Sequence, residues 1–213
     1  MGKSIKEQIQ EVREKAIVCR DCEELVETRT QVVFGAGNPE ADLVFVGEAP
    51  GENEDARGVP FVGRAGKLLD ETLEENGLSR EDVWITNIVK CRPTAMSESD
   101  RLANRPPRVG EIRNCQRWLD AELSVISPAV IVCLGGPSAS VIIHKGFKMT
   151  QERGEWFTES MYAPFVIAAY HPAYVLRLHG ESYDRARDLL VADIAEAKKK
   201  SIEEKGQPKM TLF

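Results

Sequence analysis

The sequence predicts an α/β fold built on a parallel sheet covered on both faces. Three observations carry this. Four short apolar runs, at residues 43–46, 83–89, 129–134 and 165–170, have the length of buried strands. Stretches of helical periodicity separate them. Strands that alternate with helices form βαβ units, and these bury both faces of the sheet.

The elements follow in order. Residues 4–18 place Ile5, Ile9, Val12 and Ala16 on one helical face. A Cys19-Arg20-Asp21-Cys22 turn comes next. The run 43–46 ends in a glycine turn and reads as a buried strand. Helices are expected over 67–75, 109–125, 137–144 and about 183–200. Residues 96–107 are polar and end in Arg105-Pro106-Pro107, which reads as an exposed loop. Residues 198–209 are charged and contain Gly206 and Pro208, the signature of a frayed helix end leading to a flexible tail. The expected organisation is one domain over 1–200 and a tail over 201–213. In such sheets ligands bind beyond the carboxyl ends of the strands. The segments after Val46, Ile88 and Tyr170 are therefore where chemistry is expected.

The composition narrows the function classes. The 213 residues are 42% hydrophobic, enough for one real core. No apolar run approaches the roughly 18 residues of a membrane helix. Residues 1–10 are polar and charged, with no apolar signal core, so the expectation is a soluble, cytoplasmic protein with no membrane partner. The net charge of -6 weighs against a nucleic-acid partner on average. The charge is uneven, however: between Lys90 and Arg117, seven basic residues stand against Glu98, Asp100 and Glu111. That segment reads either as a local basic footprint or as an ordinary solvated face.

Five cysteines without a secretion signal disfavour a disulfide framework. Cys19 and Cys22 form a C-x-x-C turn, Cys91 follows a strand, and Cys115 lies in the next helix. Two close thiols and two distant ones can supply four ligands to one centre, either zinc or an iron–sulfur cluster. Cys133 sits inside an apolar strand, where a small buried thiol is the ordinary explanation.

The segment after the first long strand reads Gly47-Glu48-Ala49-Pro50-Gly51-Glu52-Asn53-Glu54-Asp55, then Gly58-Val59-Pro60-Phe61-Val62-Gly63-Arg64-Ala65-Gly66. It is not a phosphate loop. A Walker motif would need glycine at Phe61 and Ser or Thr after Lys67, and the four acidic residues repel bare phosphate. An aromatic ring, close-approach glycines and nearby carboxylates suit a neutral flat group.

These strings resemble those of the family 4 uracil-DNA glycosylases, the thermophile and archaeal type. Three further segments carry the same resemblance: Thr86-Asn87-Ile88-Val89-Lys90-Cys91-Arg92-Pro93, His171-Pro172-Ala173-Tyr174-Val175-Leu176-Arg177, and the four cysteines. Together they span roughly residues 15–195. The resemblance implies a three-layer α/β/α sandwich with a short, mainly parallel central sheet. It also implies an enzyme that flips uracil out of single- or double-stranded DNA, hydrolyses its N-glycosidic bond and so initiates base excision repair. No lysine nucleophile stands out at the pocket motifs, so a monofunctional enzyme without strand cleavage is expected.

The resemblance assigns roles residue by residue. Phe61 stacks on the pyrimidine, Asn87 pairs with its N3 and O4 edge, and amides of Gly47 to Ala49 contact the base. His171 donates to O2 as negative charge develops there. Glu48 or Glu54 orients the attacking water; the sequence leaves that choice open. Tyr174, Leu176 and Arg177 form a wedge toward the minor groove, although Tyr174 could equally pack on its own domain. Cys19, Cys22, Cys91 and Cys115 hold a 4Fe-4S cluster of structural role, with zinc the lesser alternative.

Two departures stand out. Ala173 replaces the family's serine, and the Cys91–Cys115 interval is longer than usual. A related branch carries in this interval a histidine that bonds to the sugar. Residues 92–114 contain no histidine, so turnover is expected rather than a trapped adduct. His144 and His179 match no motif and read as surface residues. The end, Gln207-Pro208-Lys209-Met210-Thr211-Leu212-Phe213, resembles a sliding-clamp-binding peptide. Otherwise a monomer is expected.

Overall fold

A computed structural model describes residues 2–98 and 100–204. The chain forms α1 (Ile5–Ile17), α2 (Glu23–Thr28), β1 (Ala36–Gly37), β2 (Leu43–Gly47), α3 (Glu52–Arg57) and α4 (Arg64–Glu75). Next come β3 (Trp84–Asn87), β4 (Thr94–Met96), β5 (Leu102–Asn104), α5 (Val109–Ile126), β6 (Val130–Leu134) and α6 (Gly136–Ile142). The last elements are α7 (Met149–Glu152), β7 (Trp156–Phe157), β8 (Phe165–Ala169), α8 (Pro172–Val175) and α9 (Glu181–Glu203).

The main sheet has the order β1-β3-β2-β6-β8-β7. Its four inner strands are parallel, and the two-residue edge strands β1 and β7 run antiparallel to their neighbours. The expected α/β sandwich is present. All four apolar runs became inner strands because both of their faces are buried. Successive residues supply opposite cores. Val44, Val46, Ile131, Cys133, Val166 and Ala168 pack with Leu119, Leu123 and Ile126 of α5 and Ala139 and Ile142 of α6. Leu43, Phe45, Val130, Val132, Leu134 and Ile167 pack with Leu68, Leu69 and Leu73 of α4 and Leu190 and Ile194 of α9.

Some expectations need correction. Residues 96–107 are not simply a loop, since β4 and β5 pair as an antiparallel hairpin. Met96 and Leu102 of this hairpin are exposed, so no buried face marked it in the sequence. The basic residues from Lys90 to Arg117 are not a bare cationic footprint. Lys90 is buried against Glu122, Arg105 pairs with Glu111, Arg108 with Glu24, and Arg117 with Asp21. Helix α9 spans Glu181–Glu203, past the expected helix end at about residue 200. The peptide Gln207–Phe213 lies outside the described residues.

Candidate active site

The carboxyl ends of the inner strands meet where the sheet's parallel register brings Gly47 beside Asn87. In the same row, β8 ends at Ala169 and delivers His171 two residues later. A cleft of about 510 Å³ opens above these ends. Of the residues singled out in the sequence, it is lined by Glu48, Ala49, Glu54, Phe61, Asn87, His171 and Arg177. Gly47 lies against Asn87 and Phe61. A Cβ there would lie 2.4 Å from Asn87 Oδ1 and 2.5 Å from the tip of the Phe61 ring, so only glycine lets both approach.

Phe61 is held in an unusual state. It is a non-glycine residue at φ 54° and is 5% exposed. Such a conformation persists only where the surroundings over-determine it. Arg80 supplies that constraint: its guanidinium donates to the Pro60 and Phe61 carbonyls and to Asp70 Oδ1. Gly66 admits the Phe61 carbonyl against α4, where a Cβ would come within 1.8 Å of that oxygen. The Phe61 and His171 rings then lie 5.5 Å apart, tilted by 31°.

Asn87 is 2% exposed, and its Oδ1 has no hydrogen-bond partner. A buried acceptor left unpaired is costly unless a ligand completes it. His171 Nδ1 accepts the Ala173 main-chain N–H at 3.0 Å, which puts the ring proton on Nε2. Burial, with Arg177 nearby, pushes the imidazole down to about 4, against a weaker opposing pull from Glu54. The ring is therefore neutral at physiological pH and offers an N–H donor.

The two glutamates differ. Glu54 Oε1 accepts the Val62 and Gly63 N–H groups at 2.9 and 2.8 Å, and its Oε2 accepts the Gly51 N–H at 3.1 Å. Its carboxylate is a staple between the two halves of the loop. Glu48 is partly buried on the cleft wall, and desolvation raises its pKa above the ordinary value. Tyr174 lies in an adjoining cleft of about 450 Å³ that shares Glu48, His171, Ala173 and Arg177. Tyr174 is 39% exposed, and its ring packs on Tyr170. Leu176 is not in either cleft; it packs, partly buried, on the core under α4 and α9. Arg64, Asn104 and Arg105 also line the main cleft; no site role was expected of them from sequence, because the hairpin and the first residue of α4 reach the site only through the fold.

Cys19, Cys22, Cys91 and Cys115 converge on one small cavity between α1, α2 and α5. Each sulfur receives an N–H donor: Arg29 to Cys91 at 3.0 Å, Lys90 N to Cys115 at 3.2 Å, Arg117 to Cys19 at 3.5 Å and Asn114 to Cys22 at 3.7 Å. Burial pushes the Cys115 thiol up to about 12, so thiolates here need compensating cationic charge. Among the described residues, no group of three or more His, Cys, Asp or Glu is arranged to hold a single metal ion. Cys133 is fully buried in β6, as expected of a packing thiol. His144 and His179 are both exposed.

Residues 34–195 match the family model described as the uracil DNA glycosylase superfamily. The chain is 42% identical to a type-4 uracil-DNA glycosylase of Archaeoglobus fulgidus, over 80% of this chain and 84% of that protein. It is 41% identical to a type-4 uracil-DNA glycosylase of Thermotoga maritima, over 88% of this chain and 91% of that one. The chain belongs to the uracil DNA glycosylase superfamily, in its type-4 branch. Among solved structures, SMUG2 of Pedobacter heparinus superposes with a TM-score of 0.57 at 12% identity, covering 75% of this chain and 77% of that one. This glycosylase thus shares its fold with a chain of largely different sequence.

Proposed function

We propose that the chain is a monofunctional uracil-DNA glycosylase that flips uracil into the cleft and hydrolyses its N-glycosidic bond, opening base excision repair. One observation carries this reading: Phe61, Asn87 and His171, from three separate segments, meet at one cleft beyond the parallel strands. Phe61 offers a flat face for the extruded base. The unpartnered Asn87 Oδ1 accepts from uracil N3–H, and its amide N–H₂ donates to O4. Cytosine presents the reverse pattern and is disfavoured.

As the glycosidic bond stretches, the sugar becomes cationic and the leaving uracil anionic. A neutral His171 donates from Nε2 to O2 without first releasing a proton, and a fixed donor of this kind is worth on the order of 100-fold or more. Glu48 is the better candidate to orient water and face the sugar cation, since both Glu54 oxygens already hold backbone N–H groups. Arg177 at the cleft and Tyr174 beside it are suited to contact the DNA strand. Leu176 keeps its wedge role in this reading only if the loop opens away from the core on binding.

The four thiols are read as the ligands of a 4Fe-4S cluster, the type that the family resemblance implies. They gather at one cavity and carry a hydrogen bond to every sulfur, as cluster thiolates do. Such a cluster would serve as a structural cross-link. A brown protein absorbing in the visible blue is expected; a colourless, zinc-loaded chain contradicts it. The reading also includes a monomer acting on chromosomal DNA inside the cell. No helix of the described residues is long and apolar enough to cross a membrane.

The test is an oligonucleotide bearing one uracil, in single- and double-stranded form, treated with alkali after incubation. Cleavage at uracil only after alkali is expected, with Asn87→Ala and His171→Ala each slower by about 100-fold or more. Cleavage without alkali, or wild-type rates in both variants, overturns the assignment.

A further inference from the structure

A charge pair lies beneath the base-reading amide, and the proposed chemistry does not use it. Lys90 and Glu122 have side chains 1% and 0% exposed. Lys90 Nζ donates to Glu122 Oε2 at 2.5 Å, to Thr86 Oγ1 at 2.6 Å and to the main-chain oxygen of Asn87 at 2.9 Å. Trp84 Nε1 donates to Glu122 Oε1 at 2.8 Å, and Thr86 Oγ1 donates to Oε2 at 2.9 Å. Every hydrogen of the ammonium and both carboxylate oxygens therefore have partners. At the other end of the same residue, the Lys90 main-chain N–H donates to Cys115 Sγ at 3.2 Å. Cys91 follows directly in the chain.

Burying an ion pair is a poor route to stability, since an apolar pair of similar shape serves as well or better. An apolar pair could not, however, grip the Asn87 carbonyl. The orientation of that peptide sets where the Asn87 side chain leaves the end of β3. The Asn87 Oδ1 itself has no protein partner to hold it. The geometry points to Lys90 as a positioning residue: its ammonium fixes Asn87 for reading a uracil edge, and its amide ties that fixed segment to the thiol centre at Cys115. The segment from Asn87 to Cys91 then joins base recognition to the cysteine cavity. Glu122 and Thr86 hold the ammonium in place. This inference rests on Asn87 being the residue that reads the base.

The experiment compares full-length, cluster-loaded wild type with Lys90→Met, Lys90→Met/Glu122→Met, Asn87→Ala and the triple variant combining all three substitutions. Lys90→Met alone leaves Glu122 buried without its counter-ion and is prone to misfold. The double variant removes both charges and keeps the test open. Visible absorbance and the melting midpoint report the centre and the fold. Affinity for DNA bearing a non-cleavable uridine analogue is measured apart from the single-turnover excision rate with enzyme in excess.

The double variant is expected to keep its absorbance, melt cooperatively and bind DNA within about threefold of wild type, while excision slows at least about tenfold. In the triple variant the loss should not add to that of Asn87→Ala, because Lys90 acts through Asn87. A folded double variant with the wild-type excision rate overturns the inference. So does a loss that adds in full to that of Asn87→Ala, which marks a general structural effect. A wild-type rate in Asn87→Ala alone would instead remove the reading of Asn87 on which the inference stands.

Discussion

His171 is the residue whose chemistry depends most on its setting. An exposed imidazole titrates near 6.5, whereas burial takes this one down to about 4. Between those values the unfolded chain binds the proton and the folded chain does not. The linked stability is thus fully present above about 6.5 and is lost as pH falls toward 4. A proton-detected titration of the ring should give a midpoint near 4, and His171→Asn should flatten the fall in denaturation midpoint across that window. A ring titrating near 6.5 would contradict the neutral-donor role. The motifs made Phe61, Asn87 and His171 legible in the sequence, because each stands in a string with its own spacing. The division of labour between Glu48 and Glu54 was not legible. It depends on which carboxylate the backbone amides of Gly51, Val62 and Gly63 enclose, and that is a property of the folded loop. The Lys90–Glu122 pair, 32 residues apart, leaves no local pattern either.

At the scale of elements, α4 and the loop before it form one device. Gly66 lies where any side chain would strike the Phe61 carbonyl, and Arg80 donates a hydrogen bond to that same carbonyl. Gly66→Ala should therefore lower the melting midpoint, with a destabilisation of about 1–3 kcal/mol, and slow excision beyond what the stability loss explains. Unchanged melting and rate would mean the loop has room to shift. The inner strands and long helices were readable because their apolar residues are continuous or periodic over enough positions to exclude other readings. The two-residue edge strands and the β4–β5 hairpin were not. The hairpin exposes Met96 and Leu102, and β1 and β7 exist only as partners of β3 and β8. The convergence of four cysteines on the cavity joins α1, α2 and α5, a contact that spacing alone only suggested.

Across the whole molecule, a net charge of -6 coexists with a reading as a DNA enzyme. Arg105, Arg108 and Arg117 pair with Glu111, Glu24 and Asp21, so the apparent basic segment is partly neutralised by its own neighbours. Selection must then come chiefly from the cleft, and a tail that docks on a sliding clamp would raise the local concentration of DNA. Deleting residues 207–213 should abolish clamp pull-down while leaving excision on short oligonucleotides unchanged; undiminished pull-down would remove that role. The central claim is the convergence of a ring, an amide and an imidazole on one pyrimidine. A crystal structure of the full chain with abasic DNA and free uracil tests it most directly. Uracil should lie against the Phe61 ring, with N3 and O4 on the Asn87 amide and O2 on His171 Nε2. Uracil bound elsewhere, or turned so that these atoms face other groups, would contradict it.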